Sequence, residues 1–380
     1  MKGYGTIPLP AIRGKQGGRT FYVSNLPNLL VRNFLRDVQS AVDISERSQR
    51  PLDQKHADDI AHYLKSNVKE YVVGALTFAM KTEGDFTPLP NQNSDGYELG
   101  TLQFNLVQEF HSLDGQHRRQ AIIRAMEEVE SIRDDSTAVI FYVEPDLKRR
   151  QQMFSDMNST PRKVSKSLNI AYNNRDPFAR AAKFLAENHP LLSGKVEKLQ
   201  PRVKADSTDF FSLSSIQDAI KRVVTGSIPK GVVVEDLSDA EIQRKGGEFF
   251  DLLLKSRSEF TIASNNPKAL QQFREETILF SSTTLRVLAG AVGRANQYYK
   301  NQKPAEVHGK LVLALRDIDF STKSELFVKA GFIAPGSSTP SARNQEIVAA
   351  IRAVTEKLKD GTGEEKKNKA SKTTSLQVVH

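Results

Sequence analysis

None of the 380 residues is a cysteine. That absence excludes disulfides, a thiol nucleophile, thiolate-held zinc and cysteine-ligated iron–sulfur clusters, since each needs the sulfur atom. No apolar run approaches the ~20 residues that a membrane helix requires, and the opening MKGYGTIPLPAIRGK lacks the apolar core of a signal peptide. A cytoplasmic protein without membrane association is the expectation. Neither a Walker-type phosphate loop nor a G-x-S-x-G elbow occurs. The histidines lack metal-ligand spacing: His56 and His62 stand six apart, as do His111 and His117. No metal site is therefore expected, and His111 reads as a structural, half-buried side chain.

What is present is ordinary globular composition, 38% hydrophobic and 26% charged, in a chain long enough for one large and one smaller domain. The net charge of +9 permits a polyanionic partner. Its distribution says more. Residues 1–36 carry six basic and no acidic side chains, and residues 146–206 carry 13 basic and 6 acidic ones. Together these stretches exceed the charge of the whole chain, so the remainder is net acidic.

Along the chain, a Gly/Pro-rich basic lead-in precedes a short strand, FYVSNL, and a helix is expected over residues 27–38. Residues 53–66 space Ile60, Ala61 and Leu64 as a helix does. YVVGALTFAM reads as a buried strand and LGTLQFNL as a half-exposed one, with a polar loop between them. After SLDGQHRRQAI come a strand, TAVIFYV, and a helix, LKRRQQMFSDMN. This alternation predicts a mixed α/β domain over residues 1–205. Helical periodicity then dominates, predicting an all-α domain over 206–358 and a disordered basic tail over 359–380. TTLRVLAGAVGRANQYY has small residues where a helix-turn-helix could bend, although ordinary helix packing is the stronger reading.

The chemistry concentrates in LDGQHRRQAI, which joins a strand to an amphipathic helix carrying Ala121, Ile122, Ala125, Met126 and Val129 on one face. First-turn N–H groups and the helix dipole favour an anion, so a phosphate can sit on Gly115 to His117 with Arg118 or Arg119 as charged donor. Asp114 suits an N-cap, a ribose acceptor or an indirect metal partner. A plain capped helix is the competing reading. Downstream, Arg149, Arg150, Arg162, Lys163 and Lys166 form a basic face suited to phosphate-backbone contact, or a merely solvated one. Arg13, Lys15 and Arg19, set among glycines, form a basic loop of similar promise.

DGQHR is the signature of a family that includes the DndB proteins encoded beside DNA phosphorothioation genes. PAIRGKQGGRTFYV, YVVGALTFAM, GTLQFNL, SLDGQHRRQAI, AVIFYV, QQMFSDMN and SLNIAYNNRD all resemble DndB segments in the same order, over roughly residues 8 to 225. The resemblance implies an α/β N-terminal domain similar to ParB and sulfiredoxin, with Gly115, Gln116, His117 and Arg118 at the phosphate-binding turn, and the candidate nucleotide-binding residues Asp114 and Arg119 flank it. Asp156, Asn158 and Arg162 fall near a second ligand-facing motif of that fold. The chain departs from the family in lacking a cysteine associated with DNA binding in some members, which removes any control resting on that thiol.

The resemblance and the basic stretches together imply a repressor that binds promoter double-stranded DNA of a modification gene cluster, as a homodimer, and that responds to ATP or another nucleotide with Mg. Docking on DNA-modification enzymes is a further expected partnership. The alternative is a nucleotide-hydrolysing component of the modification system, with Asp114 and His117 as its catalytic pair.

Overall fold

A computed structural model describes residues 6–34, 52–91, 96–105, 109–159, 164–226, 237–334, 337 and 339–360. The chain forms two compact units, residues 1–162 and 163–380. The boundary therefore falls before that expected at 205. Residues 164–205 join the helical unit because Ile170, Phe178, Leu185, Leu191 and Leu192 are buried in its core.

The first unit is a mixed seven-stranded sheet. Its elements are β1 (Thr6–Gln16), β2 (Arg19–Pro27), α1 (Asn28–Phe34), α2 (Gln54–Ser66), β3 (Leu76–Met80), β4 (Asp85–Pro88), β5 (Tyr97–Asn105), β6 (Phe110–Asp114), α3 (Gln116–Glu128), α4 (Glu130–Asp134), β7 (Ser136–Val143) and α5 (Leu147–Ser159). The strand order is β4-β5-β1-β2-β7-β3-β6, with β3 and β7 parallel and the other pairs antiparallel. Alternation sorts the strands' side chains between two faces. Phe78, Phe104, Phe141 and their neighbours pack with Ile122, Ala125 and Met126 of α3. Ala79 and Leu113 pack instead with Met153 of α5.

Two strands of this unit were hidden in the sequence. The lead-in expected to be irregular is β1, although Pro8 and Pro10 argue against a central strand. Its pairing with β2 begins only at Ala11↔Ser24, so both prolines lie where β1 is paired to β5 alone. The expected polar loop contains β4, a short edge strand on β5. Gln16↔Arg19 closes the β1–β2 hairpin around Gly17 and Gly18, whose φ values of 56° and 77° suit the tight turn that matches strand twist.

The second unit is mostly helical: α6 (Lys166–Tyr172), α7 (Pro177–Asn188), β8 (Val196–Glu197), β9 (Phe211–Ser212), α8 (Leu213–Thr225), α9 (Asp239–Ser256), α10 (Ser258–Asn265), α11 (Pro267–Glu276), α12 (Ser282–Tyr298), α13 (Pro304–Arg316), α14 (Glu325–Lys329) and α15 (Asn344–Asp360). α15 runs just past residue 358, and residues 361–380, most of the expected tail, lie outside the described part. The segment weighed as a helix-turn-helix is the single continuous helix α12. Its small residues serve close packing: a Cβ on Gly293 would come within 2.6 Å of the Arg222 carbonyl oxygen on α8. Among the described residues no helix is long and apolar enough to cross a membrane.

Candidate functional site

β6 ends at Asp114, which lies across from Thr77 of β3 after a register shift. The chain then turns through Gly115 at φ 91° into α3. A side chain is excluded there twice, by the left-handed backbone and because a Cβ would lie 2.8 Å from Leu76 Cδ2. Gly115 is itself the N-cap, without a side-chain cap. The capping role considered for Asp114 is thus not the one it plays. Its carboxylate accepts a hydrogen bond from Arg118 Nη2 at 2.6 Å, while Arg118 Nη1 donates to the Ala75 carbonyl at 2.9 Å. Arg118 therefore clamps the turn to the approach of β3 instead of extending toward solvent.

α2 begins at the same place. Asp53 caps α2 by accepting from the His56 N–H at 3.2 Å, and the Asp53 N–H donates to His117 Nε2 at 3.0 Å. The His56 and His117 rings meet edge to face at 5.0 Å. Two helix N-termini, with their N–H groups and positive dipole ends, thus converge beside half-buried Gln116 and Arg119. Such a turn is suited to an anion. The sequence concealed this meeting because His56 and His117 belong to separate helices, and only the packing of α2 on α3 joins them. Among the described residues no cluster of three or more metal-type side chains occurs.

The basic residues separate into three groups. Arg150 is buried, with Nη1 donating to the Glu144 and Pro145 carbonyls at 3.0 and 2.6 Å, and burial pushes its guanidinium below the ordinary value. It supports the chain entering α5 and cannot reach DNA, which corrects its expected place on the basic face. Arg13 is held by Glu98 and lies over the Phe86 ring at 4.5 Å. Arg19 pairs with buried Glu144 at 2.9 Å, and Tyr142 donates to Gln16 at 2.5 Å. These bonds tie the hairpin tip to the end of β7 and the segment that leads into α5, and Lys15 beside the tip and Lys148 and Arg149 in the first turn of α5 are exposed.

Strand register separates that end from the DGQHR turn. The tip adjoins the C-terminal end of β7, whereas Asp114 lies level with Thr77 and Ile140 and its chain continues in the opposite direction. On α5, Asn158 donates back to the Phe154 carbonyl at 2.7 Å and Asp156 accepts from Gln152 at 2.6 Å. Lys166, in the helical unit, is 3.5 Å from Asp218. Arg162 and Lys163 lie outside the described residues.

Comparison with known proteins adds one finding. A family model, DndB, described as DNA-sulfur modification-associated, matches residues 9–361. It extends through most of the helical unit, well beyond the span of resembling segments. No curated protein and no solved structure matches.

Proposed function

The chain belongs to the DndB family, and from that membership we propose that it is a cytoplasmic, DNA-binding repressor of a gene cluster for DNA phosphorothioate modification. The observation that carries the DNA reading is the hairpin tip tied to the end of β7 and to the segment leading into α5, through Tyr142–Gln16 and Arg19–Glu144. Lys15, Lys148 and Arg149 then form a basic edge that can follow a phosphate backbone. A homodimer suits an operator with two half-sites, and DNA-modification enzymes are the second class of partner.

We read the α/β unit as ParB-like, with the turn at Gly115 to Arg119 as a pocket for ATP or another nucleotide with Mg. The convergence of the α2 and α3 N-termini supports this role, with backbone N–H groups and Arg119 as donors and Arg118 as the clamp that shapes them. The hydrolytic alternative is weaker because both its groups are engaged, Asp114 by Arg118 and His117 by the Asp53 N–H.

The test is a gel-shift titration on the protein's own upstream region and on unrelated DNA of equal length, across salt, with and without ATP and magnesium. Preferential binding upstream that shifts on adding nucleotide is the expected result. Equal binding to both DNAs, with ATP turnover, would favour the hydrolytic component. Absence of binding to either DNA would remove the repressor reading.

A further inference from the structure

Asp218 on α8 is approached by cations from two other helices: Arg286 Nη2 on α12 at 3.1 Å and Lys166 Nζ on α6 at 3.5 Å. Arg222 stands one helical turn after Asp218 on α8 and is only 6% exposed. Its Nε and Nη1 atoms are buried without a hydrogen-bond partner among the described residues. Burial pushes this guanidinium below its ordinary value, Asp218 opposes that shift, and the like charge of Arg286 adds to it. Three cations thus surround one carboxylate in a region buried at Arg222 and progressively more open toward Lys166, whose side chain is 57% exposed.

Buried N–H groups without an acceptor, as at Nε and Nη1 of Arg222, lose their hydration with no hydrogen bond in return. An acceptor with several oxygens removes that cost, and the fork of an arginine matches an oxyanion in shape. We propose that Arg222, Arg286 and Lys166 form a binding site for a small phosphate-type oxyanion, with Asp218 positioning two of the three cations. The site lies wholly within the helical unit and does not depend on the DNA reading or on the DGQHR turn.

The probe is inorganic phosphate, titrated into the full chain at fixed ionic strength against a chloride control and followed by calorimetry and thermal melting. Saturable stabilisation by phosphate above chloride is expected. Arg286→Gln should weaken phosphate affinity roughly tenfold or more, the loss of one charge-assisted donor. Asp218→Asn should tighten it by removing the competing carboxylate. A merely structural cluster would yield no phosphate-specific heat, and both substitutions would only lower the melting temperature; either outcome overturns the proposal. AMP is expected to displace bound phosphate where a short DNA duplex at equal phosphate concentration does not. Displacement by the duplex alone would overturn assignment to a small ligand.

Discussion

Arg118 and Arg222 each follow an aspartate by four residues, Asp114 and Asp218, yet their surroundings differ. In the α/β unit the pair closes at 2.6 Å, and a backbone carbonyl takes a second N–H of Arg118. In the helical unit Asp218 is claimed instead by Arg286 and Lys166, and Arg222 remains buried beside it. Only Asp218 and Arg222 share a helix, where four-residue spacing makes an ion pair available, and cations arriving from other helices occupy that carboxylate instead; Asp114 ends β6, and the turn through Gly115 brings it to Arg118. The arginine inside the recognisable motif consequently maintains the fold, while one in an unremarkable amphipathic helix keeps binding capacity.

The largest effect should come from breaking the turn that sets the first of these geometries. Gly115→Val forces a β-branched residue into positive φ and against Leu76, for an expected loss of about 3 kcal/mol or more in denaturant unfolding. Arg118→Ala should cost about 1–3 kcal/mol, the partial exposure of both partners reducing the value of the charged bond. Arg222→Met should leave stability unchanged or raise it, because it removes a buried cation two of whose nitrogens lack an acceptor among the described residues. Equal losses from Arg118→Ala and Arg222→Met would erase the contrast between the two arginines.

How much of this was legible in the sequence follows the range of the forces involved. Local signals sufficed for α2, α3, α5, β7 and the strand-to-helix turn at Gly115, since periodicity and turn residues act over a few positions. β1 was missed because Pro8 and Pro10 are tolerated only through a one-sided pairing that depends on β5, far along the chain. The burial of Arg150 was hidden for a related reason: its acceptors are carbonyls of the incoming chain, which composition does not register. The meeting of His56 with His117, and of Asp218 with Arg286 and Lys166, arises from helix packing and left no trace in spacing.

His189 sharpens the comparison from another side, because a buried histidine can shed the proton that a buried arginine keeps. Burial pushes its value down even with Asp251 3.3 Å away, and its Nδ1 accepts from the Leu191 N–H at 3.1 Å. The unfolded chain binds this proton more readily than the folded one. The contribution of the neutral ring is therefore complete above the ordinary histidine value of about 6.5 and is lost as pH falls through it toward the lower folded value. Unfolding free energies measured across that window should decline toward acid in the native protein, and less so in His189→Gln. An unchanged slope in the variant would show that other groups carry the acid sensitivity.

The smallest effects on stability are expected at the exposed cations beside the hairpin, which neither clamp the fold as Arg118 does nor endure burial as Arg222 does. Lys15→Ala and Arg149→Ala should each shift unfolding free energy by less than about 0.5 kcal/mol. On DNA the order reverses. If both side chains meet phosphates, each substitution should reduce the salt dependence of binding by about one unit in the slope of log K against log salt, on cognate and unrelated DNA alike. Arg150→Met supplies the contrast, since its guanidinium is committed to the carbonyls before α5: it should lower stability and leave that slope unchanged. A slope that responds to Arg150→Met and not to Lys15→Ala would move the DNA contact away from the hairpin edge.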